Sequence, residues 1–236
     1  MLIAIVAGER RQAAPGQRGQ CPLCAGVTIA KCGQRDTWHW AHKSANCDPW
    51  HEFEDDWHRA WKSLFPIEWQ EVITFDATSG EKHIADIRSS DGRVIEFQSS
   101  AIEPNEVAAR EAFYAPMIWI VDGTRNEFDR YYFNISIMGV VTGTEFSVNI
   151  SWKGRGKLLS RWAKSAHVVY LDFGESALWR IERYNNFTKR GVATAVDKAK
   201  LTREFIEGCA AVPQLAPPRP HGLLRRALYS IRSIRR

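Results

Sequence analysis

Apolar positions along the chain follow two rhythms. After Asp48-Pro49, residues Trp50, Phe53, Trp57, Ala60, Trp61, Leu64 and Phe65 recur at spacings of three and four, which predicts an amphipathic helix ended by Pro66. Its other face carries Glu54, Asp55, His58, Arg59 and Lys62. The rhythm then shortens. Glu68–Phe75, Lys82–Arg88 and Arg93–Ser99 read as strands, divided by Ala77-Thr78-Ser79-Gly80 and by Ser90-Asp91-Gly92, a strong hairpin turn. Glu103–Tyr114 reads as a helix, and Met117–Val121 as a short buried strand. The order helix, three strands, helix, strand predicts an α+β fold of α/β/α type, a mixed sheet with flanking helices.

The rest of the chain frames this core. Met1–Ala7 reads as a first strand, residues 8–20 as a loop, and residues 21–47 as short strand pieces too few to form a core unaided. Further strands are expected near 131–140, 145–152, 166–173 and 176–184, with a helix near 194–207. Val212–Pro220 holds four prolines and reads as a linker, and Leu223–Arg236 has helix-compatible Leu, Ile and Arg. The expected divisions are an N-terminal strand and metal module (1–48), a core (49–123), a further β-rich α+β part (124–211), and a linker with basic tail (212–236).

Charge sharpens the last division. The chain of 236 residues carries a formal +5, but residues 217–236 hold six arginines and no acid, which leaves the first 216 at about −1. The basic pI thus describes a tail, suited to phosphates or to solubility, on a nearly neutral body. No run of 18 apolar residues exists, so no membrane partner is expected. The apolar opening has no positive residue before it, unlike a secretory signal. Four of five cysteines fall between Cys21 and Cys47, which suits a metal site in a reducing compartment, and a cytoplasmic location is expected.

Cys21-Pro-Leu-Cys24 is a CxxC knuckle; His39-Trp-Ala-His42 and Cys47 follow within 27 residues. Tetrahedral zinc needs four N or S donors, and two close pairs divided by a hairpin supply them. The preferred set is Cys21, Cys24, His42 and Cys47. If 38–42 is a strand, His39 and His42 point to opposite faces, so His39 is the reserve ligand. Cys32 is a further reserve or a plain small hydrophobe. A filled tetrahedron would make this zinc structural.

Acids form the second cluster. The hairpin through Asp91-Gly92 sets Asp86 beside Glu96, and Gln98, two residues on, shares a face with Glu96. Glu54 comes from the preceding helix with His58 and Lys62 at i+4 and i+8. Glu54 could be a solvated helix charge, but Glu96, between Val94-Ile95 and Phe97, is harder to dismiss. Glu71 and Asp122 are weaker candidates near strand ends. Converging carboxylates repel unless a cation lies between them, and Mg²⁺ or Mn²⁺, hard ions that prefer oxygen, suit Glu54, Asp86 and Glu96.

The order helix-Glu54, strand-Asp86, Glu96-Phe97-Gln98 resembles the PD-(D/E)xK nuclease superfamily. The wider text resembles the CoiA-like competence protein family: Cys21-Pro-x-Cys24, His39-Trp-Ala-His42, Glu54-x-x-Trp57-His58-x-x-Trp61-Lys62, Ala85-Asp86-Ile87, Ile95-Glu96-Phe97-Gln98-x-Ser100, Arg110-x-x-x-Tyr114 and Trp119-Ile120-Val121-Asp122-Gly123. The match covers about residues 21–123. Arg110-x-x-x-Tyr114 is also similar to the Gln-x-x-x-Tyr element of RecB-type nucleases. The resemblance implies a restriction-endonuclease-like mixed sheet, an N-terminal zinc piece, and a role in processing DNA after uptake or during recombination. It implies catalytic roles for Glu54, Asp86, Glu96, Gln98, His58 and Lys62, with Glu54, Asp86 and Glu96 on magnesium. Gln98 stands where the superfamily has lysine, and His83 where the family usually has arginine, so Lys62 or Lys82 would have to supply the charge.

The expected function is Mg²⁺-dependent hydrolysis of phosphodiester bonds in DNA, with DNA favoured over RNA and recombination proteins as further partners. The alternative is a non-catalytic nucleic-acid-binding protein on a degenerate nuclease fold. A third reading, a scaffold docked by its basic tail, has no support in the body of the chain.

Overall fold

The computed structural model describes residues 1–33, 38–43, 47–50 and 54–208. Phe53, Cys209, the proline-rich linker and the basic tail lie outside the described residues.

Two sheets organise the chain. The first is antiparallel, built from β1 (Ile3–Val6), β2 (Glu9–Gln12), β3 (Arg18–Gln20), β4 (Val27–Lys31) and β5 (His39–His42) in the order β2-β1-β3-β4-β5. The second has nine strands: β6 (Gln70–Phe75), β7 (Lys82–Arg88), β8 (Val94–Gln98), β9 (Met117–Asp122), β10 (Ile137–Val140), β11 (Ser147–Ser151), β12 (Val168–Asp172), β13 (Ala177–Asn185) and β14 (Arg190–Asp197). Their order is β10-β11-β14-β13-β12-β9-β8-β7-β6. The pairs β8/β9 and β9/β12 are parallel and the others antiparallel, so the sheet is mixed. Strands from the residues after 123 thus extend the sheet that carries Asp86 and Glu96.

Helices cover both faces, giving the α+β, three-layer arrangement that the element order predicts. Trp61 and Phe65, in and just after α1 (Asp56–Lys62), and Leu201 and Phe205 of α5 (Lys198–Ile206) pack on Ile87, Ile95, Phe97, Ile118 and Ile120. The opposite face receives α2 (Pro104–Tyr114), α3 (Glu127–Ser136) and α4 (Leu158–Trp162) over Val94, Trp119, Val121 and Leu171. Layers on both faces explain why every residue of β8 is buried, Glu96 and Gln98 included. No helix among the described residues is long and apolar enough to cross a membrane.

Several local readings need correction. Residues 8–20 are not a loop: they hold β2 and β3, joined through glycines with positive φ at Gly8 (83°) and Gly16 (74°). The polar run hid β2 because all four of its residues are exposed, which removes the alternation that marks a half-buried strand. The strand expected over 131–140 is mostly α3. Its aromatic residues favour strands, yet the Asn126 side chain caps the helix by accepting from the Phe128 N–H (3.1 Å). The helix expected from 194 begins at Lys198, where Asp197 caps it, and the preceding residues form β14. The first helix starts later than its apolar rhythm suggests, because Asp55 is its N-cap; Glu54 therefore precedes the helix.

Asp172, at the end of β12, ties α1 and α5 to the sheet. Its Oδ2 accepts from Trp57 Nε1 (3.1 Å), Trp61 Nε1 (2.8 Å) and Lys198 Nζ (3.1 Å), and its Oδ1 from the Gly174 N–H (2.8 Å). Asp172→Ala would strand several donors at a buried position, each costing about 1–3 kcal/mol. A loss of about 3 kcal/mol or more in unfolding free energy is expected by urea titration; a loss below about 1 kcal/mol would contradict this role.

Candidate functional site

The first candidate site grows from the β3–β4 turn. Cys21 N–H donates to the Gly26 carbonyl (2.8 Å) and Ala25 N–H to the Cys21 carbonyl (2.9 Å), closing a tight knuckle. Ala25 takes the left-handed conformation there (φ 57°), while Gly26 serves a different need: a Cβ at its position would lie 3.1 Å from Cys24 Sγ. The N–H groups of Leu23 and Gly26 point at Cys21 Sγ and Cys24 Sγ (both 3.3 Å); such bonds favour a thiolate and bring the Cys24 thiol below its usual range against burial, while burial still holds the Cys21 thiol above its own. His42 ends β5, and Cys47 follows it.

Cys21 and Cys47 Sγ lie 3.6 Å apart, and His42 Nε2 lies 3.4 and 3.5 Å from Cys24 and Cys47 Sγ. The four donor atoms are all within 4.8 Å of one another. Zinc with bonds near 2.3 Å places tetrahedral sulfurs about 3.8 Å apart, so this group could bind a metal ion such as zinc. Burial, with Cys24 and Cys21 beside it, pushes the Cys47 thiol up to about 12, so a metal must displace a proton to bind there. His39 and His42 fall on opposite faces of β5, and His39 is outside the four-donor group. Cys32 packs on the small core around Met1, Ala4 and Trp40.

The second candidate site is a cavity of about 40 Å³, room for an ion or a few waters, at the junction of the two sheets. Its lining includes Glu54, His58, Lys62, Asp86 and Glu96, the acids and bases singled out in the sequence, with Glu71, a weaker candidate there, and Arg110 of the Arg110-x-x-x-Tyr114 element; Asp48 and Trp50 join them. Strands β7 and β8 pair at Ile87/Ile95 and Arg88/Val94. One step further on, side chains replace ladder bonds: Glu96 Oε1 accepts the Asp86 N–H (3.1 Å) and Asp86 Oδ2 the Phe97 N–H (2.9 Å). The two carboxylates are held where the strands part.

Lys62 Nζ, fully buried, lies among the acids, 2.9 Å from Asp86 Oδ1, 3.4 Å from Glu71 Oε1 and in contact with Glu54 Oε1. Burial opposes its charge, but Asp86, Glu54 and Glu71 outweigh it and hold the ammonium well above its usual range. Burial also opposes ionisation of Glu54 and Asp86. For Glu54, Lys62 and the N-terminal ammonium outweigh it, and for Asp86, Lys62 and His58; both carboxyls stay below their ordinary range. Glu96 Oε2 accepts from Arg110 Nη1 (3.2 Å), and Arg110 Nη2 also reaches the Trp50 carbonyl (2.9 Å). Lys82 is exposed at the start of β7, outside the cavity lining, so of the two candidate lysines Lys62 is the one at the site.

Glu71 interrupts β6 with a left-handed backbone (φ 49°), and its carboxylate accepts the Leu2 and Ile3 N–H groups (both 2.7 Å), stitching β1 to the cavity. His58 donates from Nε2 to the Phe97 carbonyl (2.8 Å), and its Nδ1 faces Asp55 (3.2 Å). Both ring nitrogens are engaged, which makes His58 a positioning residue. Gln98 is buried on the Glu96 side of β8 but outside the cavity lining, with Nε2 on the Ser100 carbonyl and hydroxyl (both 3.2 Å). Asp122 caps a turn through Thr124 and takes no part.

Asp48 is the residue that sequence reasoning missed. It accepts from the Trp50 and Ile84 N–H groups (3.0 and 2.9 Å) and from His83 Nδ1 (2.9 Å), and His83 stacks on Trp50 at 3.4 Å between ring centroids. An acid directly after Cys47 and before Pro49 was the available signal. Through it the cysteine cluster is joined by covalent neighbours to the wall of the acidic cavity.

The cavity is short of positive charge. Burial and the Asp86 charge push Glu96 up to about 8, and burial with the Glu54 charge pushes Glu71 up to about 7. Glu54 Oε2 is buried and makes no hydrogen bond among the described residues. Protons on Glu96 and Glu71 offset part of the negative charge that the carboxyls would otherwise concentrate in the cavity. A carboxyl whose folded pKa exceeds its unfolded one stabilises fully below the unfolded value and loses that stabilisation as pH rises towards the folded one. Without added divalent metal, stability should therefore fall between about pH 4.5 and 8. Glu96→Gln should flatten the fall, as read by urea titration at several pH values. Parallel curves for the two proteins would refute the assignment.

Compared with protein-family models, curated proteins and solved structures, the chain has no match.

Proposed function

We propose that the protein is a metal-dependent nuclease that hydrolyses phosphodiester bonds in DNA, with the acidic cavity as its active site. One observation carries the reading: Glu54, Glu71 and Asp86 converge on the buried Lys62, and Glu96, held by Arg110, lines the same cavity where β7 and β8 part. Glu54, Asp86 and Glu96 would hold Mg²⁺ or Mn²⁺, which when bound supplies an acidified water and positive charge opposite a scissile phosphate. Lys62 provides fixed positive charge at Asp86, the contribution that Gln98, a neutral amide, cannot make. Arg110 orients Glu96 and His58 holds the Phe97 carbonyl, so the two strand ends keep their spacing. The resemblance to CoiA-like proteins extends the proposal to DNA processing in uptake or recombination in the cytoplasm.

The Cys21, Cys24, His42 and Cys47 group is read as a structural zinc site, since four soft donors close the tetrahedron. Single- and double-stranded DNA and RNA, incubated with and without Mg²⁺ or Mn²⁺, test the function: cutting of a DNA form that needs the metal is expected. Tight binding of DNA without cutting of any form would favour the non-catalytic reading, to which Gln98 points.

A further inference from the structure

The acidic cavity leaves the far end of the large sheet unused. There, β11, β13 and β14 form an open concavity of about 800 Å³ whose lining includes Lys153, Arg183, Arg190, Asn149, Asn185 and Tyr184 and no acidic residue. Register explains the polar strip. Asn185 of β13 pairs with Arg190 of β14, which pairs with Ser151 of β11; Arg183 and Asn149 flank Val192 two residues on. Paired residues share a face, so two arginines and several amide or hydroxyl groups line up across three strands.

Lys153, Arg183 and Arg190 are exposed, and none forms an ion pair among the described residues. The acid on the same stretch of β13, Glu182, is taken by Arg180 (2.6 Å). Beside the strip, the β13–β14 turn projects Phe187, 96% exposed, the most exposed large apolar side chain described. The turn is ordered: Asn185 Oδ1 accepts the N–H groups of Phe187 (3.0 Å) and Thr188 (2.9 Å), and the Lys189 carbonyl accepts the Trp152 N–H (2.8 Å). An exposed ring carried on an ordered turn beside uncompensated cations has the two elements of a single-strand binding surface, phosphate attraction and base stacking.

We propose that this concavity binds single-stranded nucleic acid, with Lys153, Arg183 and Arg190 on phosphates and Phe187 stacked on a base. An acidic peptide would use the cations but leaves the exposed ring without a role, so the stacking residue decides for nucleic acid. The proposal does not depend on hydrolysis, and it gives the residues after 123 a binding task apart from the basic tail.

The test is binding of a fluorescent oligothymidylate to the full-length chain over a range of salt, without added divalent metal, so that cutting plays no part. Arg183→Ala with Arg190→Ala should weaken binding about tenfold or more, and should reduce the slope of log affinity against log salt by about 1.4, from two lost single-strand phosphate contacts. Phe187→Ala should weaken binding about fivefold or more with the slope unchanged. All three positions are exposed, and unaltered melting curves would show that the variants fold. Wild-type affinity and slope in both variants, or no oligonucleotide binding by the wild type, would overturn the proposal. Absence of cutting in the separate assay with Mg²⁺ or Mn²⁺, with these binding effects intact, would instead count against the nuclease reading alone.

Discussion

Asp86→Asn is expected to slow metal-dependent cleavage by about a thousandfold or more, with Glu96→Gln close behind. A bound divalent ion contributes several kcal/mol to the transition state, and each 1.36 kcal/mol is a factor of ten. Asp86 stands at the centre of the site: Oδ1 faces Lys62 at 2.9 Å and Oδ2 holds the Phe97 N–H at 2.9 Å. Asparagine keeps one carbonyl oxygen for Phe97, so the strand ends should survive while the charge that attracts the ion is lost. DNA binding should hold or improve, because less negative charge faces the phosphate. Single-turnover rates at saturating Mn²⁺ read the effect, with melting curves as the folding control. A rate within tenfold of wild type would remove Asp86 from the catalytic set. Lys62→Ala should also cost activity and, by leaving buried carboxylates unpaired, about 3–5 kcal/mol of stability; Lys82→Ala, outside the cavity, should cost neither.

Cys24→Ser should take the protein from about one zinc per chain to almost none. A serine hydroxyl is a poor fourth donor for a soft site, and apparent zinc-binding free energies of about 10 kcal/mol or more are folding free energy in such modules. The five-stranded sheet has few buried apolar groups of its own, chiefly Met1, Ile3, Ala4, Ala13, Cys21 and Trp40. Its loss should reach the cavity by two routes: the Leu2 and Ile3 N–H groups on Glu71, and Asp48, next to Cys47, on His83 and Ile84. Elemental analysis and hydrogen exchange together read the outcome. A native protein without bound metal, or a serine variant that retains it, would refute the zinc reading.

The core was legible because its signals are local. Lys82–Arg88 alternates and emerges as β7 with those bounds, and the Asp91-Gly92 turn delivers the hairpin that sets Asp86 beside Glu96. The cysteine spacing pointed to the four donors that converge. What stayed hidden depends on partners remote in sequence. β2 is exposed along its length and carries no periodicity, and α3 depends on the Asn126 cap against strand-favouring aromatics. Glu71 had only a weak signal: its place in the cavity comes from a left-handed backbone and from the N–H groups of β1, almost seventy residues away in the chain. Lys62 was expected on a helix face with Glu54. The helix instead begins after Glu54, and the two meet because Lys62 turns inward between the sheets.

The central claim is that Glu54, Asp86 and Glu96 hold a divalent cation, and Mn²⁺ titration followed by electron paramagnetic resonance tests it most directly. With zinc already bound at the cysteine cluster, the protein should take up Mn²⁺ at pH 8 more tightly than at pH 6, since Glu96 and Glu71 must release protons to it. The signal of bound Mn²⁺ should disappear in Asp86→Asn. Free Mn²⁺ throughout the wild-type titration, or equal binding by wild type and Asp86→Asn, would contradict the account.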